Sequence, residues 1–473
     1  MLGFILVSAV VIWWGWNVVY SVWLSPLREI PSPLELQLLP LLFDASVARG
    51  NSHLLLHKYH LRYGPVFRIG WKKVIFVDAD AAAQMFGTYK YDKGRIYDGF
   101  RYFGDNLLTL KTRAEHSARR KLVVPAFTRP KVLAMEPIII EKGILPLLAN
   151  LEDAEGSVDL LKQLHYMSWD VIGELGFGKS FEMLKSGGHP AASWMESVLK
   201  LSMACYVFPP LLKLRIPNGE RLRAFSQKLI DAYSSTKHPS KTILSHFTAS
   251  VDKETGQVLS KEAIFAEAHL LLFAGTETTS NSIGFFFYLL GTHPKVYKKV
   301  AAEVRANPHT GILSHDTIST TMPYLQAAIK EAMRILPVVS STIFRTVPKD
   351  GLHAANYFIP QGTEVTVPFY SIHRSPLLWD EPDKFIPERW LDCSPLKRKI
   401  DPRCFIPFSI GPRACAGKEL AKVEMLLACA NILSRFDLEL VTDPKSTDLD
   451  LVSLPILRPS NSSIFFKVTK LVQ

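Results

Sequence analysis

The 473 residues contain no C-x-x-C pair, and the cysteines number five: Cys205, Cys393, Cys404, Cys415 and Cys429. An odd count without close pairs fits neither a disulfide framework nor a zinc ribbon, so at least one thiol is free. Polar low-complexity tracts are missing as well. Hydrophobic residues make up 48% and charged residues 21%, which excludes collagen-like, disordered and disulfide-scaffold classes. There is no internal repeat and no clean boundary for a second domain. No glycine-rich dinucleotide fingerprint follows a strand-like run, so no dinucleotide-binding unit is expected in this chain. Acid is the scarcer charge, with 44 Asp and Glu against 55 Lys and Arg and a formal charge of +11. That balance favours contact with anionic surfaces.

Charge is wholly absent from Leu2 to Leu24. At about 1.5 Å per residue this stretch reaches roughly 35 Å, slightly more than a bilayer core. It has no early Lys or Arg and carries Trp13, Trp14, Trp16 and Trp23, which reads as a single transmembrane anchor (1–24) and not as a cleaved signal peptide. Residues 25–33 follow with Pro26, Pro31 and Pro33, which predicts a stiff, extended hinge. No other apolar run approaches spanning length, so residues 34–473 are expected to fold in water as one body.

Helix dominates that body. Val66 to Gly70 and Val74 to Val77 read as a hairpin, and further strand-like runs come late, at Ser341 to Thr346, Thr363 to Val367 and Ser463 to Val468. Breaks fall at Gly187-Gly188, Pro209-Pro210 and Pro217-Asn218-Gly219. The longest helix should run from Ser260, a good N-cap, to Gly291, with Pro294 beyond it, about 45 Å in all.

Gly173 to Ser180 satisfies the phosphate-loop pattern G-x-x-x-x-G-K-[ST] in full. Chance produces such a match in roughly one chain of this length in a hundred. A phosphate loop follows a buried strand, whereas Met167 to Ile172 spaces its apolar residues like a helix face. A glycine-rich helix terminus is the expected structure, and the NTPase reading is rejected.

The informative segment is Phe408-Ser-Ile-Gly-Pro-Arg-Ala-Cys-Ala-Gly417, followed by a helical pattern from Lys418 to Leu433. A cysteine in a glycine-bearing loop at a helix start is placed to be a thiolate, because free N–H groups and the helix dipole lower its pKa. Gly411 and Gly417 would let the backbone turn and approach a flat ligand, Phe408 would shield the sulfur, and Arg413 offers a fork for a carboxylate. A lone cysteine is more often a small buried hydrophobe, so the segment needs company.

That company follows along the chain: Ala274-Gly-Thr-Glu277-Thr278-Thr279 inside the long helix, Glu331-Ala-Met-Arg334 on a later one, and Phe385-Ile-Pro-Glu-Arg389-Trp390 before the cysteine loop. With Phe408-x-x-Gly-x-Arg-x-Cys-x-Gly417, this order resembles the cytochrome P-450 monooxygenases of microsomal, eukaryotic and fungal type, from the hinge to the carboxyl end. The resemblance implies a mainly α helical prism with small β-sheets, plus the N-terminal transmembrane helix. It implies haem b with Cys415 as its axial thiolate and only metal ligand from the protein. Glu277 and Thr278 would be catalytic, supplying protons during dioxygen activation. Arg120, Arg345 and Arg413 would hold the propionates, while Glu331, Arg334 and Arg389 would form a buried structural network. The family has a tryptophan four residues before Arg120; here His116 stands, either as an N–H donor to a propionate or as a surface residue.

By the same resemblance the protein would insert one oxygen atom into a mostly hydrophobic small molecule, in natural-product (secondary) metabolism. Its electrons would come from NADPH–cytochrome P-450 reductase, or a cytochrome b-type donor, docking on Lys397, Arg398, Lys399, Arg403, Lys418 and Lys422 or on an ordinary solvated surface. It would sit in the endoplasmic reticulum membrane by a single pass, in contact with membrane lipid, its catalytic domain cytosolic, with no nucleic-acid partner. The alternatives are a haem-thiolate isomerase or dehydratase, and a non-catalytic haem sensor; neither needs Glu277 and Thr278. Leu270, Leu271 and Phe273 project toward the side of Ala274, and Tyr97, Phe100, Tyr102 and Phe103 add aromatic surface, as pocket or as core. Glu267 lies on that same face, either paired with a basic neighbour or receiving a polar end of the substrate.

Overall fold

In the computed structural model, residues 1–235, 242–306, 311–340, 343–392, 394–441 and 449–471 are described. Ser341 and Thr342 of the expected strand, and Cys393, lie outside these residues. The architecture is mostly helical with small sheets, as expected. A central helix, Lys261–Thr292, is capped where the sequence predicts it, with Ser260 Oγ accepting from Ala263 N at 3.1 Å. Pro294 opens the next helix, Pro294–Arg305.

The central helix packs along the helix Leu160–Phe177. The two backbones approach closely because a Cβ on Gly275 would stand 2.4 Å from Ile172 Cδ1, and one on Gly176 would stand 2.9 Å from Leu271 Cδ2. Gly275 therefore serves helix packing, not only the approach of a flat ligand expected from its sequence context.

The hairpin forms from Val66–Ile69 and Lys73–Phe76. It extends through Glu364–Thr366, which runs parallel to its second strand, and then through Arg345–Thr346 and Asp92–Lys93. Two apolar cores result. One surrounds the central helix, and the other, around this sheet, holds Phe43, Phe67, Val74, Ile75 and Phe344.

The phosphate-loop lookalike is a helix terminus. Residues 173 to 177 are the last turn of Leu160–Phe177, and Gly178 is its left-handed cap at φ 72°. The amides of Gly178 and Lys179 donate to Glu174 O and Gly173 O, and Ser180 N donates to Glu174 Oε2. Amides that would cradle phosphate are thus bonded within the turn.

The proline segment departs from the expected extended hinge. Residues 26 to 29 form a turn, with Arg28 N donating to Ser25 O and Ile30 N to Leu27 O. Leu27 and Ile30 are each 2% exposed, inside the second core. Burial of two large apolar side chains outweighs the extended preference of the prolines.

The helix Ser52–Tyr63 rests on Phe369–Arg374 through His53, His57 and His60. His53 and His57 approach Tyr370 with ring centroids 5.2 and 5.5 Å away. Burial, with Arg374 close by, pushes both imidazoles down to about 4; for His57, His60 pushes the same way and Asp383 opposes. Both are neutral in the fold, whereas the unfolded chain takes up protons from about pH 6.5 downward. Their contribution to stability is therefore expected to fall as pH drops from about 6.5 to about 4 and to level off below. The slope is about 1.4 kcal/mol per pH unit for His53, and less for the half-buried His57. Urea midpoints across this range check it; His53→Gln should flatten the slope, and an unchanged slope would place the acid sensitivity elsewhere.

Candidate active site

The two cores meet at a cavity of about 380 Å³. Ile96, Tyr97 and Phe369 reach it from the sheet side; Val123, Phe127, Ile172 and Leu271 reach it from the helical side. Cys415 opens onto it and is the one exposed cysteine among the four described. Its loop is closed by Cys415 N donating to Phe408 O at 2.9 Å, and Gly417 starts the helix Lys418–Leu433. Gly411, at φ 71°, has no room for a side chain: a Cβ would lie 2.4 Å from Phe86 O. Its bareness seats the loop on the backbone of residues 86 and 87, and not on a ligand. Gly417 is the opposite case, since a Cβ there meets nothing within 4 Å, and the space beside the sulfur stays open. Phe408 lines the same wall.

The free thiol differs from expectation in sign. Burial pushes Cys415 up, while Gly417 N–H, Arg120 and Lys418 pull it down without prevailing. The helix start lowers the cost of the thiolate, and a coordinated metal ion would supply the rest, because coordination deprotonates a thiol outright. Among the described residues no three His, Cys, Asp or Glu side chains converge on one point.

Cations crowd the cavity beside the cysteine loop with little to balance them. Arg120 Nη1 donates to Ala414 O at 3.0 Å, and Arg345 Nη1 donates to Tyr97 OH at 3.0 Å. Arg413 Nη2 donates to Lys111 O at 2.6 Å, and its nearest carboxylate, on the half-exposed Asp92, is 3.7 Å away. Arg345 Nε, Arg413 Nε and Arg413 Nη1 are buried without a partner. Lys93, also on the cavity, donates to Leu107 O and Leu108 O at 2.8 Å. Burial first, then Arg345 and Arg413, pushes its pKa well down. Buried, unpaired guanidinium groups are costly, so this rim suits a ligand carrying more than one carboxylate. An open thiol on one wall and orphaned guanidinium donors on the rim fit an iron porphyrin with its two propionates.

His116 is neither a surface residue nor a cation. It is 2% exposed and lines the cavity, and Nδ1 lies 3.1 Å from Tyr89 OH. Burial, together with Lys93, Arg413, Arg120 and Arg345, pushes it down to about 2, so the ring is neutral.

The neighbours Glu277 and Thr278 part company in space, since successive helical residues point about 100° apart. Thr278 lines the cavity, its hydroxyl donating to Ala274 O at 2.7 Å. Glu277 faces away from the wall toward His165, with Oε2 3.5 Å from Nε2. Burial pushes its carboxyl up, but His165 and Arg458 outweigh this and hold it below the usual range.

Leu270, Leu271 and Phe273 reach the cavity as projected, as do Tyr97 and Phe100. Tyr102 and Phe103 pack elsewhere, Phe103 stacking on His269 at 3.7 Å between centroids. Glu267 is paired: Oε1 accepts from Arg119 Nη1 and Leu107 N, both at 2.8 Å. Of the basic residues considered for docking, Arg398 meets Asp380, Arg403 meets Asp401 and Asp80, and Lys422 meets Glu419. Lys397, Lys399 and Lys418 are exposed, without a carboxylate partner among the described residues.

Two wall residues carried no sequence signal that was read. Lys93 sits in a two-residue strand, where no periodicity reveals its direction. Glu424 shares the apolar face of Leu420, Ala421 and Met425, a legible anomaly. It is 1% exposed, its Oε2 has no partner, and burial pushes its pKa up to about 8.

Comparison with known proteins agrees with this site. The sequence profile of the cytochrome P450 family matches residues 31–463. The chain is 32% identical to the cytochrome P450 monooxygenase lcsI of Purpureocillium lilacinum, covering 92% of this chain and 88% of that protein. It is 30% identical to the cytochrome P450 monooxygenase FUP2 of Fusarium proliferatum (strain ET1), covering 89% and 87%. Its fold superposes on the crystal structure of the cytochrome P450DA heme domain with a TM-score of 0.79 at 22% identity, over 94% of this chain and 98% of that one. With an open cysteine and unpartnered guanidinium donors on one cavity and a family match running nearly end to end, the chain belongs to the cytochrome P450 family of haem-dependent monooxygenases.

Proposed function

We propose that this protein inserts one oxygen atom into an apolar small molecule of fungal secondary metabolism. The observation that carries the chemistry is the open Cys415 facing a cavity whose rim keeps buried guanidinium N–H donors without a partner. Haem b, when bound, would supply the iron that activates dioxygen, and the Cys415 sulfur would hold it. Arg120, Arg345 and Arg413 hold its propionates, the neutral His116 adds an N–H on the same wall, and Phe408 keeps water from the sulfur. Phe100, Leu270 and Phe273 exclude water around the substrate. Glu267, already satisfied by Arg119, serves to hold the wall and leaves no free charge for a substrate. Glu277 takes up and releases a proton behind the cavity wall, and the Thr278 hydroxyl passes it in. Electrons come from NADPH–cytochrome P-450 reductase or a cytochrome b-type donor, drawn to Lys397, Lys399 and Lys418.

Two expected outcomes test this reading. In the reconstituted system Thr278→Ala should keep haem and fold but release peroxide in place of product, with product per NADPH falling about tenfold or more. Unchanged coupling refutes the role. Absence of any NADPH use beyond that of the reductase alone would point instead to the isomerase or the sensor.

The N-terminal helix Leu2–Val19 and the turn Tyr20–Leu24 form one segment long and apolar enough to cross a membrane. We read it as a single-pass anchor in the endoplasmic reticulum, with the catalytic body in the cytosol. Its foot belongs to the body, for the buried Arg68 donates through Nη1 to Ser21 O and Ser21 Oγ. Removing residues 2–19 should release the protein from membranes at only a small cost in stability, that of the exposed contacts of Trp14 with Leu38 O and of Trp13 with Trp71. Removing residues 2–27 should cost roughly 3 kcal/mol or more, since it orphans Arg68 and empties the site of Leu27. Equal denaturation midpoints for the two truncations would show that the foot contributes nothing.

A further inference from the structure

We infer that Lys93 and Arg345 close on one haem propionate as a cross-strand clamp, leaving the other to Arg413 and Arg120. The inference rests on the reading of the three arginines proposed above and adds a fourth cation that no motif marks. The strand Asp92–Lys93 runs antiparallel to Arg345–Thr346, with Lys93 set directly opposite Arg345. Gly94 keeps this edge tight: its N–H donates to Phe344 O at 2.9 Å, and a Cβ there would stand 2.8 Å from Phe344 Cβ. Both cations are buried, 6% and 2% exposed, and both line the cavity. Like charges facing each other across an antiparallel pair destabilise it, and burial raises the cost. Such a pair is tolerated when an anion lies between the two.

The free donors point to a carboxylate. An ammonium has three N–H groups. Leu107 O and Leu108 O accept two of them at 2.8 Å, and the third has no acceptor among the described residues. Arg345 spends Nη1 on Tyr97 OH at 3.0 Å and Phe344 O at 3.2 Å, while its Nε is buried without a partner. Both heads lie against the Tyr97 ring, Lys93 Nζ 5.3 Å and Arg345 Cζ 5.8 Å from its centroid. Two unspent N–H donors beside one ring match the two oxygens of one carboxylate. A substrate acid offers the same group, yet Arg345, Arg413 and Arg120 all bear on Lys93, so the cluster around it is the propionate rim itself.

The clamp ties haem retention to pH. Around Lys93 stand these three arginines, the neutral His116, the Tyr97 ring, and Glu267, which Arg119 holds. Burial first, then the arginines, push the amine well down, and Glu267 opposes them. A propionate beside it pulls the same way as Glu267, so Lys93 takes up a proton as haem binds. A group whose pKa is higher with the ligand bound favours binding at low pH, and that gain is lost as pH climbs through the higher value. Haem is therefore held less firmly in alkali.

The test follows haem transfer from the full-length, haem-loaded protein to apomyoglobin at about pH 7 and about pH 9.5, on either side of which a raised lysine begins to titrate. Resonance Raman spectra of the resting protein give a second readout, independent of turnover. Wild type should lose haem faster at the higher pH. Lys93→Gln, which keeps a donor for the two carbonyls but no charge, should lose it about tenfold faster at the lower pH, with little further dependence. Lys93→Arg, charged throughout, should hold haem at both. The propionate bending band should shift in Lys93→Gln as in Arg345→Gln, which a loosened loop alone does not produce. The inference is overturned if the band moves in Arg345→Gln and not in Lys93→Gln, or if Lys93→Gln loses haem as wild type does at both pH values. It is overturned as well if the band stays put in Lys93→Gln while laurate, an acid probe read by its shift of the haem spectrum, binds that variant about tenfold more weakly, for Lys93 then serves a substrate acid. A band unmoved in Arg345→Gln would remove the reading of the arginines, and this inference with it.

Discussion

Cys415→Ala should abolish the thiolate-type absorption band of the reduced, carbon-monoxide-bound haem, together with all monooxygenase turnover. No other described cysteine can take over. Cys205, Cys404 and Cys429 are buried away from the cavity. Burial pushes all three thiols up, Cys404 to about 12. A ligand must be deprotonated and within reach, and only Cys415 has both an open sulfur and the amide of Gly417 beside it. Difference spectroscopy on the Cys415→Ala protein decides the matter, with Cys205→Ala and Cys404→Ala as controls expected to keep the band. Because the Cys415 side chain is small and opens onto space, its loss should leave the fold standing. A surviving thiolate band would remove the central assignment.

Glu331→Ala should have the largest effect on stability. Glu331 is fully buried and five donors converge on it: Arg334 Nη2 at 2.8 Å, Arg389 Nε at 3.2 Å and Ile386 N at 3.1 Å on Oε1, with Arg334 Nε and Trp390 Nε1, both at 2.9 Å, on Oε2. Arg334 also donates to the carbonyls of His373, Pro382 and Lys384, and Arg389 to those of Asp380 and Glu381. Deleting the carboxylate leaves two guanidinium groups buried without a counter-charge, a loss of about 3–5 kcal/mol. A domain's whole stability is about 5–15 kcal/mol, so most of the protein should be recovered unfolded or without haem. The strain reaches the pocket by contact, for Trp390 packs on Phe405 at 4.5 Å between centroids, and Phe405 lies just ahead of the cysteine loop. Urea midpoints and haem content read both effects. Glu331→Gln, which keeps the shape and some of the hydrogen bonds, should fall between Glu331→Ala and wild type, and wild-type stability in both variants would show the network to be dispensable.

Local patterns fixed a good part of this protein in advance. The uncharged N-terminal run, the Ser260 cap, the hairpin at Val66 and the helix-terminal nature of Gly173 to Ser180 each depend on neighbouring residues, and each appears where its spacing puts it. Cys415 in its glycine-bearing loop, with the three motifs ahead of it, likewise led to the haem-thiolate family. What failed locally failed for a common reason. The prolines of residues 25–33 favour an extended chain, yet the waiting groove for Leu27 and Ile30 folds it into a turn. For His116 the local reading leaves a propionate donor and a surface residue both open, and only its burial among Arg120, Arg345, Arg413 and Lys93, drawn from distant segments, removes the second. Adjacency in sequence suggested that Glu277 and Thr278 act side by side, while helical rotation sends one to the cavity and the other to His165.

The sequence by itself determined the fold class, the family and the apolar character of the cavity wall, and it singled out Cys415 as the candidate thiolate, because these follow from periodicity and short motifs. Only the tertiary structure decided which groups are paired and which are stranded: Glu267 with Arg119, Glu277 beside His165, Glu424 Oε2 alone, and guanidinium nitrogens of Arg345 and Arg413 without a partner. Burial and partnership of a charge depend on residues a hundred or more positions away, which no local spacing encodes, and in a low-dielectric interior those partners set both its protonation and its chemistry.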